Sequence, residues 1–288
     1  MSYSWILSSS IGFYFILLIL LVTFRSARPK LKYIYKFAVF SFVSNLLACL
    51  CCLFFVLRPR NVNNVKISAK VLKHVTKLIG ITWEIRNKHV LMEDGEAIVT
   101  ANHQSCLDLL GVLHVWEIVK KMTLVAKKEV FYTGPIGIAG YLTGIVYIDR
   151  NDPKKAYKEL CNTSQIMATH KTKIWIYPEG TRNGDYSKML RFKNGAFAMA
   201  IAAQKPIIPV VFSPMYFINH EKMIFEEGHV ILQCLEPIPT EGMTMDDVVN
   251  LKERVRNVME KAYVELSKEV QSSKTKDIMF SPSYNIIK

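Results

Sequence analysis

The first sixty residues contain no aspartate and no glutamate, yet they hold seven of the lysines and arginines of a 288-residue chain whose formal net charge is +13. Charge of either sign is absent from two runs, Trp5 to Phe24 and Phe37 to Leu57. Each approaches the ~20 apolar residues that a membrane-crossing helix requires. The residues before Trp5 lack the basic cluster of a cleavable signal peptide, and the apolar run exceeds the usual length for one. Membrane segments are therefore expected, rather than two helices of a buried core. Arg25, Arg28, Lys30, Lys32 and Lys36 lie between the runs, and Arg58, Arg60, Lys66, Lys70, Lys73 and Lys77 follow the second. Two full crossings would put these clusters on opposite faces, against the positive-inside rule. A hairpin dipping into one leaflet keeps both at the same anionic surface. The hairpin anchor is the expectation, with two full crossings as the alternative.

Other absences narrow the function. The six cysteines form no framework of closely spaced pairs, which fits reduced thiols facing a cytosol-like compartment. Zinc-finger spacing, a ribonucleoprotein-type aromatic motif and a dense basic stripe are all missing, so nucleic acid is not an expected partner. The basic excess suits anionic headgroups or phosphorylated substrates better. No Gly-x-Ser-x-Gly elbow occurs, which counts against an ordinary serine hydrolase. Internal repeats are absent, as are C-terminal lipidation and retention tetrapeptides.

What is present reads as an α/β layer architecture. The stretch NNVKISAKVLKHVTKLIG predicts an amphipathic helix ended by Gly80. Strand-like runs such as EAIVTA, MTLVA, GIVYIDR, KIWIYP, PIIPVVF and HVILQCL alternate with helical ones. Thr244 with Asp247 forms a capping-box pattern opening a helix whose Val248, Leu251, Val255, Val258, Met259, Ala262 and Leu266 share a face. The expected organisation is a two-helix membrane anchor over 1–60, an α/β domain over 61–270, and a loose polar tail over 271–288.

Two histidines have an aspartate five positions on. His89 with Asp94 falls in a polar turn, where Asp-Gly is ordinary turn chemistry. His103 follows the strand EAIVTA and precedes Ser105, which can cap a helix beginning at Cys106. Residues five apart on a regular helix point about 140° apart. Because His103 sits before the helix, Asp108 in the first turn can reach back to it. A neutral imidazole can take a proton from an alcohol, and a carboxylate on its far nitrogen fixes the tautomer and stabilises the imidazolium. The plainer alternative is that Asp108 only completes a capping box with Ser105.

The segment NHQSCLD resembles the signature of the glycerolipid acyltransferases. The likeness to the 1-acylglycerol-3-phosphate acyltransferases of animals runs through RNVNNVK, NHQSCLDLLG, GIVYIDR, YPEGTRN, FKNGAFAMA and PIIPVV to EPIPTEG, nearly the whole chain. The resemblance implies a mixed sheet flanked by helices, behind the apolar anchor. It implies an acyltransferase that moves a fatty acyl group from acyl-coenzyme A to the sn-2 hydroxyl of lysophosphatidic acid, giving phosphatidic acid. Its partners are then those two substrates and a lipid bilayer. Acyl-coenzyme A is a co-substrate, and neither cofactor nor metal is implied. The expected location is the endoplasmic reticulum membrane, with the catalytic domain facing the cytosol.

Carried over residue by residue, the resemblance makes His103 the general base and Asp108 its orienting partner, with Asn102, Gln104 and Ser105 as the supporting frame. Lys127, Arg150, Glu179, Gly180, Thr181 and Arg182 fall in the substrate-binding motifs, and Pro209 helps to shape the acyl site. Tyr147 stands where the family usually has phenylalanine. From the residues themselves, Gly180 permits close backbone approach, and the planar fork of Arg182 suits a phosphate monoester. Lys193 either faces that phosphate or is simply solvated. The run from Gly134 to Ile148 is too short and glycine-rich to span a bilayer, and is either core or a wall guiding an acyl chain. Two other function classes share these features: a membrane-anchored thioesterase or lipase using Ser105 or Cys106 with His103, and a non-enzymatic lipid-binding protein. Acylation of glycerol-3-phosphate or another lysophospholipid would use the same base.

Overall fold

Strands rich in valine and isoleucine, with few charges on either side, belong in a sheet buried on both faces. The computed structural model describes residues 29–149, 159, 163 and 171–279, with side chains of the last helix to Ser272. Seven strands form one mixed sheet: β1 (Ile81–Arg86), β2 (Ile98–Ala101), β3 (Met122–Lys127), β4 (Val146–Ile148), β5 (Lys173–Ile176), β6 (Ile207–Phe212) and β9 (Gly228–Cys234). Their order is β1-β9-β6-β2-β5-β3-β4. From β6 to β4 all neighbours are parallel, whereas β9 runs antiparallel to β6 and parallel to β1. Two-residue strands β7 (Ile218–Asn219) and β8 (Ile224–Phe225) pair in a separate hairpin, too short to show alternation in sequence.

Strand alternation splits the core in two. Val99, Ala101, Trp175, Ile208, Val210 and Phe212 pack on one side, with α5 (Asp108–Ile118). Ile98, Ile174, Ile176, Ile207 and Val211 pack on the other, against α8 (Gly195–Ala203) and α9 (Val248–Met279). The capping box of Thr244 and Asp247 is formed at the 3₁₀ turn Met245–Asp247 that leads into α9. Val248, Leu251, Val255, Met259, Ala262 and Leu266 are buried as expected, but Val258 is 40% exposed at the stripe's edge. The α9 backbone runs to Met279, past Gln271 where the sequence suggested a loose tail.

The second apolar run belongs to α1 (Pro29–Phe55), the one helix among the described residues long and apolar enough to cross a membrane. The first run lies outside the described residues. Lys36, Ser44, Ala48, Cys51 and Phe55 are buried along one side of α1, while Phe42, Leu46, Leu50, Leu53 and Phe54 are exposed. Buried positions thus span almost the whole helix, which lies lengthwise against the domain. The amphipathic stretch after it is broken into α2 (Asn64–Leu72) and α3 (Val75–Ile79), ended by Gly80 in the left-handed region at φ 73°. After β1 come the single turns α4 (His89–Met92) and, beyond β3, α6 (Lys128–Phe131). The glycine-rich run folds as α7 (Pro135–Leu142) followed by β4, and Leu142 packs on Cys51 and Phe55 of α1. The hydroxyl of Tyr147 donates to Gly137 O at 2.9 Å, so the atom that distinguishes it from phenylalanine has a partner.

Candidate active site

Five parallel strands deliver their C-terminal ends to one side of the sheet, the usual place for a site in an open α/β fold. The loop after β2 carries His103, the loop after β5 carries Tyr177 to Arg182, and the loop after β6 carries Ser213 to Met215. Lys127 ends β3.

The corner after β2 is held by the frame expected of it. Asn102 receives the Phe212 N–H at 2.8 Å and returns a bond to Phe212 O at 3.1 Å. Gln104 donates to Ser213 O at 3.0 Å and accepts from the Met215 N–H at 3.1 Å. These bonds clamp β2 to the end of β6, two strands that pair directly. The Ser105 hydroxyl accepts from the Leu107 N–H at 3.3 Å, and α5 starts at Asp108 rather than at Cys106.

Asp108 is fully buried and reaches back as its position allows. Its Oδ2 lies 2.7 Å from His103 Nδ1 and also accepts the Gln104 and Ser105 N–H groups at 2.7 and 3.1 Å. Capping and imidazole orientation are therefore two functions of one carboxylate oxygen. Oδ1 is buried with no hydrogen-bond partner among the described residues. With Nδ1 directed at Asp108, Nε2 is the nitrogen left for a substrate, on a side chain 22% exposed.

The loop after β5 closes around the same histidine. Glu179 is buried; its Oε1 accepts the His103 N–H at 2.8 Å and its Oε2 accepts the Leu190 N–H at 3.0 Å. Burial raises its carboxyl above the usual value, against the pull of those two bonds. The Asn183 N–H donates to His103 O at 2.8 Å, so both backbone polar groups of His103 are held from this loop. Tyr177 stacks on the imidazole, centroids 4.0 Å apart and planes 17° from parallel. Neither Tyr177 nor Asn183 was singled out from the sequence. The useful signal was that Tyr177 directly precedes the Pro-Glu-Gly turn on the face shared by Trp175.

Burial also determines which neighbours can exchange protons. The phenols of Tyr177 and Tyr186 are pushed above their ordinary range by burial and by the charge of Asp108. Burial likewise raises the Cys106 thiol, and burial together with Arg182 lowers His220. At neutral pH Cys106 is thus a thiol and the surrounding phenols are neutral. Ser105 is buried and bonded within its own turn.

The remaining motif residues are scattered over the same end of the sheet or beyond it. Gly180 adopts φ 73°, and a Cβ there would stand 2.9 Å from Lys193 Cε, which puts the lysine stem against the turn. Thr181 and Arg182 are exposed. Lys127 is paired with Glu129 at 2.9 Å on the surface. Arg150 lies outside the described residues. Pro209 is buried in the middle of β6, on the alternation phase of Ile207 and Val211, and so on the opposite face of the sheet from Val99, Ala101 and Trp175. Its carbonyl accepts the Leu235 N–H at 2.9 Å.

Comparison with known proteins identifies the family. A family model described as Acyltransferase matches residues 82–213. Human 1-acyl-sn-glycerol-3-phosphate acyltransferase alpha is 38% identical over 86% of this chain and 87% of its own. The human beta enzyme is 34% identical over 90% and 92%. The crystal structure of the 1-acyl-sn-glycerophosphate (LPA) acyltransferase PlsC from Thermotoga maritima has the same fold, with TM-score 0.64 and 20% identity over 83% of this chain and 99% of that one. A buried carboxylate aiming a histidine at the C-terminal edge of this sheet fits that kinship, and the chain belongs to the 1-acyl-sn-glycerol-3-phosphate acyltransferase family of acyltransferase enzymes.

Proposed function

We propose that the protein transfers a fatty acyl group from acyl-coenzyme A to the sn-2 hydroxyl of 1-acylglycerol-3-phosphate, forming phosphatidic acid. The observation that carries this reading is the 2.7 Å contact between His103 Nδ1 and buried Asp108, which leaves Nε2 free to act as base. His103 Nε2 takes the hydroxyl proton as the oxygen attacks the thioester carbonyl carbon. The tetrahedral oxyanion then collapses, the carbon–sulfur bond breaks, and the imidazolium returns the proton to the leaving thiolate. Holding both substrates at one base supplies proximity. No acyl-enzyme is needed, in keeping with the protonated Cys106 and the bonded Ser105.

Arg182 is the principal phosphate ligand in this reading, joined by Arg150 and Lys127, with Thr181 and the Gly180 turn beside it. A guanidinium forks onto a phosphate monoester with two parallel bonds. The surface pair of Lys127 with Glu129 is weak enough to exchange for a phosphate. Glu179 serves the site by fixing the His103 backbone, and Pro209 stiffens β6 from the other face.

The two-helix anchor over residues 1–60 holds the α/β domain on the endoplasmic reticulum membrane, facing the cytosol. The lengthwise docking of α1 supports the one-leaflet hairpin, since one side of the helix, at Lys36, Ser44, Ala48, Cys51 and Phe55, is packed against the domain while its apolar side is left for lipid. Its exposed apolar side and the absence of any acid before Glu84 suit an anionic lipid surface.

The acceptor is tested with purified protein in detergent micelles, supplied with labelled acyl-coenzyme A and, separately, lysophosphatidic acid, glycerol-3-phosphate and lysophosphatidylcholine. Product with lysophosphatidic acid at least tenfold above the others is expected. Equal or better use of lysophosphatidylcholine would overturn the monoester assignment.

A further inference from the structure

Two neutral aromatic rings favour an offset or edge-to-face arrangement over a direct sandwich, whereas a cation is drawn to the centre of a ring face. The His103 imidazole nevertheless lies nearly flat on Tyr177, at 4.0 Å and 17°. Tyr177 is fixed in that place. It continues β5, its carbonyl accepts the Gly180 N–H at 3.1 Å, and its ring meets Trp175 edge-on at 6.1 Å. The imidazole is thus held at its edge by Asp108 and on its face by Tyr177, so that proton uptake at Nε2 places positive charge directly over a π face.

We propose that Tyr177 is a positioning residue for acyl transfer, holding the His103 ring by its face and favouring the imidazolium formed as the acceptor hydroxyl is deprotonated. The inference rests on the acyl-transfer reading above and extends it. The acidic groups near the ring are Asp108 from α5 and Glu179 from the loop after β5, whose Arg182 lies toward Cys106 and His220. The neutral titratable groups are Cys106 and Tyr186, with Tyr33 from α1 and His220 from the β7–β8 hairpin beyond them. None of them is itself substituted when the Tyr177 ring is exchanged.

The test compares wild type, Tyr177→Phe, the same site carrying 3,5-difluorophenylalanine, and Tyr177→Leu. Fluorine weakens the negative ring face while nearly preserving its shape, so the series does not depend on the leucine variant folding. The acid limb of kcat/KM for lysophosphatidic acid is expected to stay put in Tyr177→Phe. It should move to lower pH by about half a unit with the fluorinated ring, the size of a modest cation–π contact. Tyr177→Leu should show the same shift with kcat down about 10-fold and KM within twofold. A plateau that falls with no movement of the limb would mean simple packing and overturn the proposal, as would an equal loss in Tyr177→Phe. The His103 imidazole resonance, assigned by its disappearance in His103→Ala, is titrated by NMR in the same series. That titration needs no turnover, so an inactive wild type would count against the acyl-transfer reading while the shift still scores the stack.

Discussion

Glu179 Oε1 accepts the backbone N–H of His103 at 2.8 Å, joining the turn after β5 to the corner after β2 across two paired strands. Its second oxygen ends on the Leu190 N–H. The acidic residue of the Glu-Gly-Thr-Arg turn thus spends both oxygens on backbone N–H groups of the protein itself.

Replacing Glu179 by alanine leaves two part-buried donors without their acceptor, and about 1–3 kcal/mol of stability should be lost in thermal melts. Glu179→Gln keeps one acceptor and should lose less. Because burial raises the Glu179 carboxyl, the folded state binds its proton more tightly than the unfolded chain does. Wild-type stability should therefore decline as pH rises from the ordinary carboxyl range through the raised folded value. Glu179→Gln should lack that component, and a glutamine variant with the same acid-range slope would refute the assignment.

Asp108→Asn retains an acceptor for the turn but presents the wrong partner to Nδ1. By analogy with other His–Asp pairs, kcat should fall about 10²–10⁴-fold with little change in KM. A wild-type rate would mean that Asp108 only caps the helix.

Burial keeps the Cys106 thiol protonated at neutral pH. Iodoacetamide labelling at this position should be slow at pH 7 and accelerate only in alkaline buffer. The double variant Ser105→Ala, Cys106→Ala should retain turnover, whereas an enzyme using either as nucleophile would lose it entirely.

At Gly180 the left-handed φ of 73° carries the cost of a substitution, since the Lys193 side chain 2.9 Å from a Cβ there is flexible and can move aside. Gly180→Ala should cost about 1–2 kcal/mol and raise KM for lysophosphatidic acid more than it lowers kcat. An alanine variant with unchanged melting and KM would show the turn to be freely deformable.

The His103–Asp108 contact was legible in sequence because a histidine one turn before a helix is the one placement from which an aspartate five residues on can meet it. The strands were legible for the same local reason, a run of β-branched residues between turns. What escaped depended on partners distant in sequence. The break between α2 and α3 has no proline or glycine to mark it. Tyr177 reads as an ordinary strand residue until β2 places His103 over it. Pro209 falls in a motif with the site residues, yet strand alternation sends it to the other face of the sheet. The exposed side of Val258 depends on the width of the groove that receives α9, which helical periodicity alone does not give.

The role of His103 as the base for acyl transfer is read from labelled acyl-coenzyme A and lysophosphatidic acid, with wild type and His103→Ala measured side by side in micelles. Phosphatidic acid is expected from the wild type, with a rate about 10²–10⁴-fold lower from the variant. Equal product from both proteins would contradict that role.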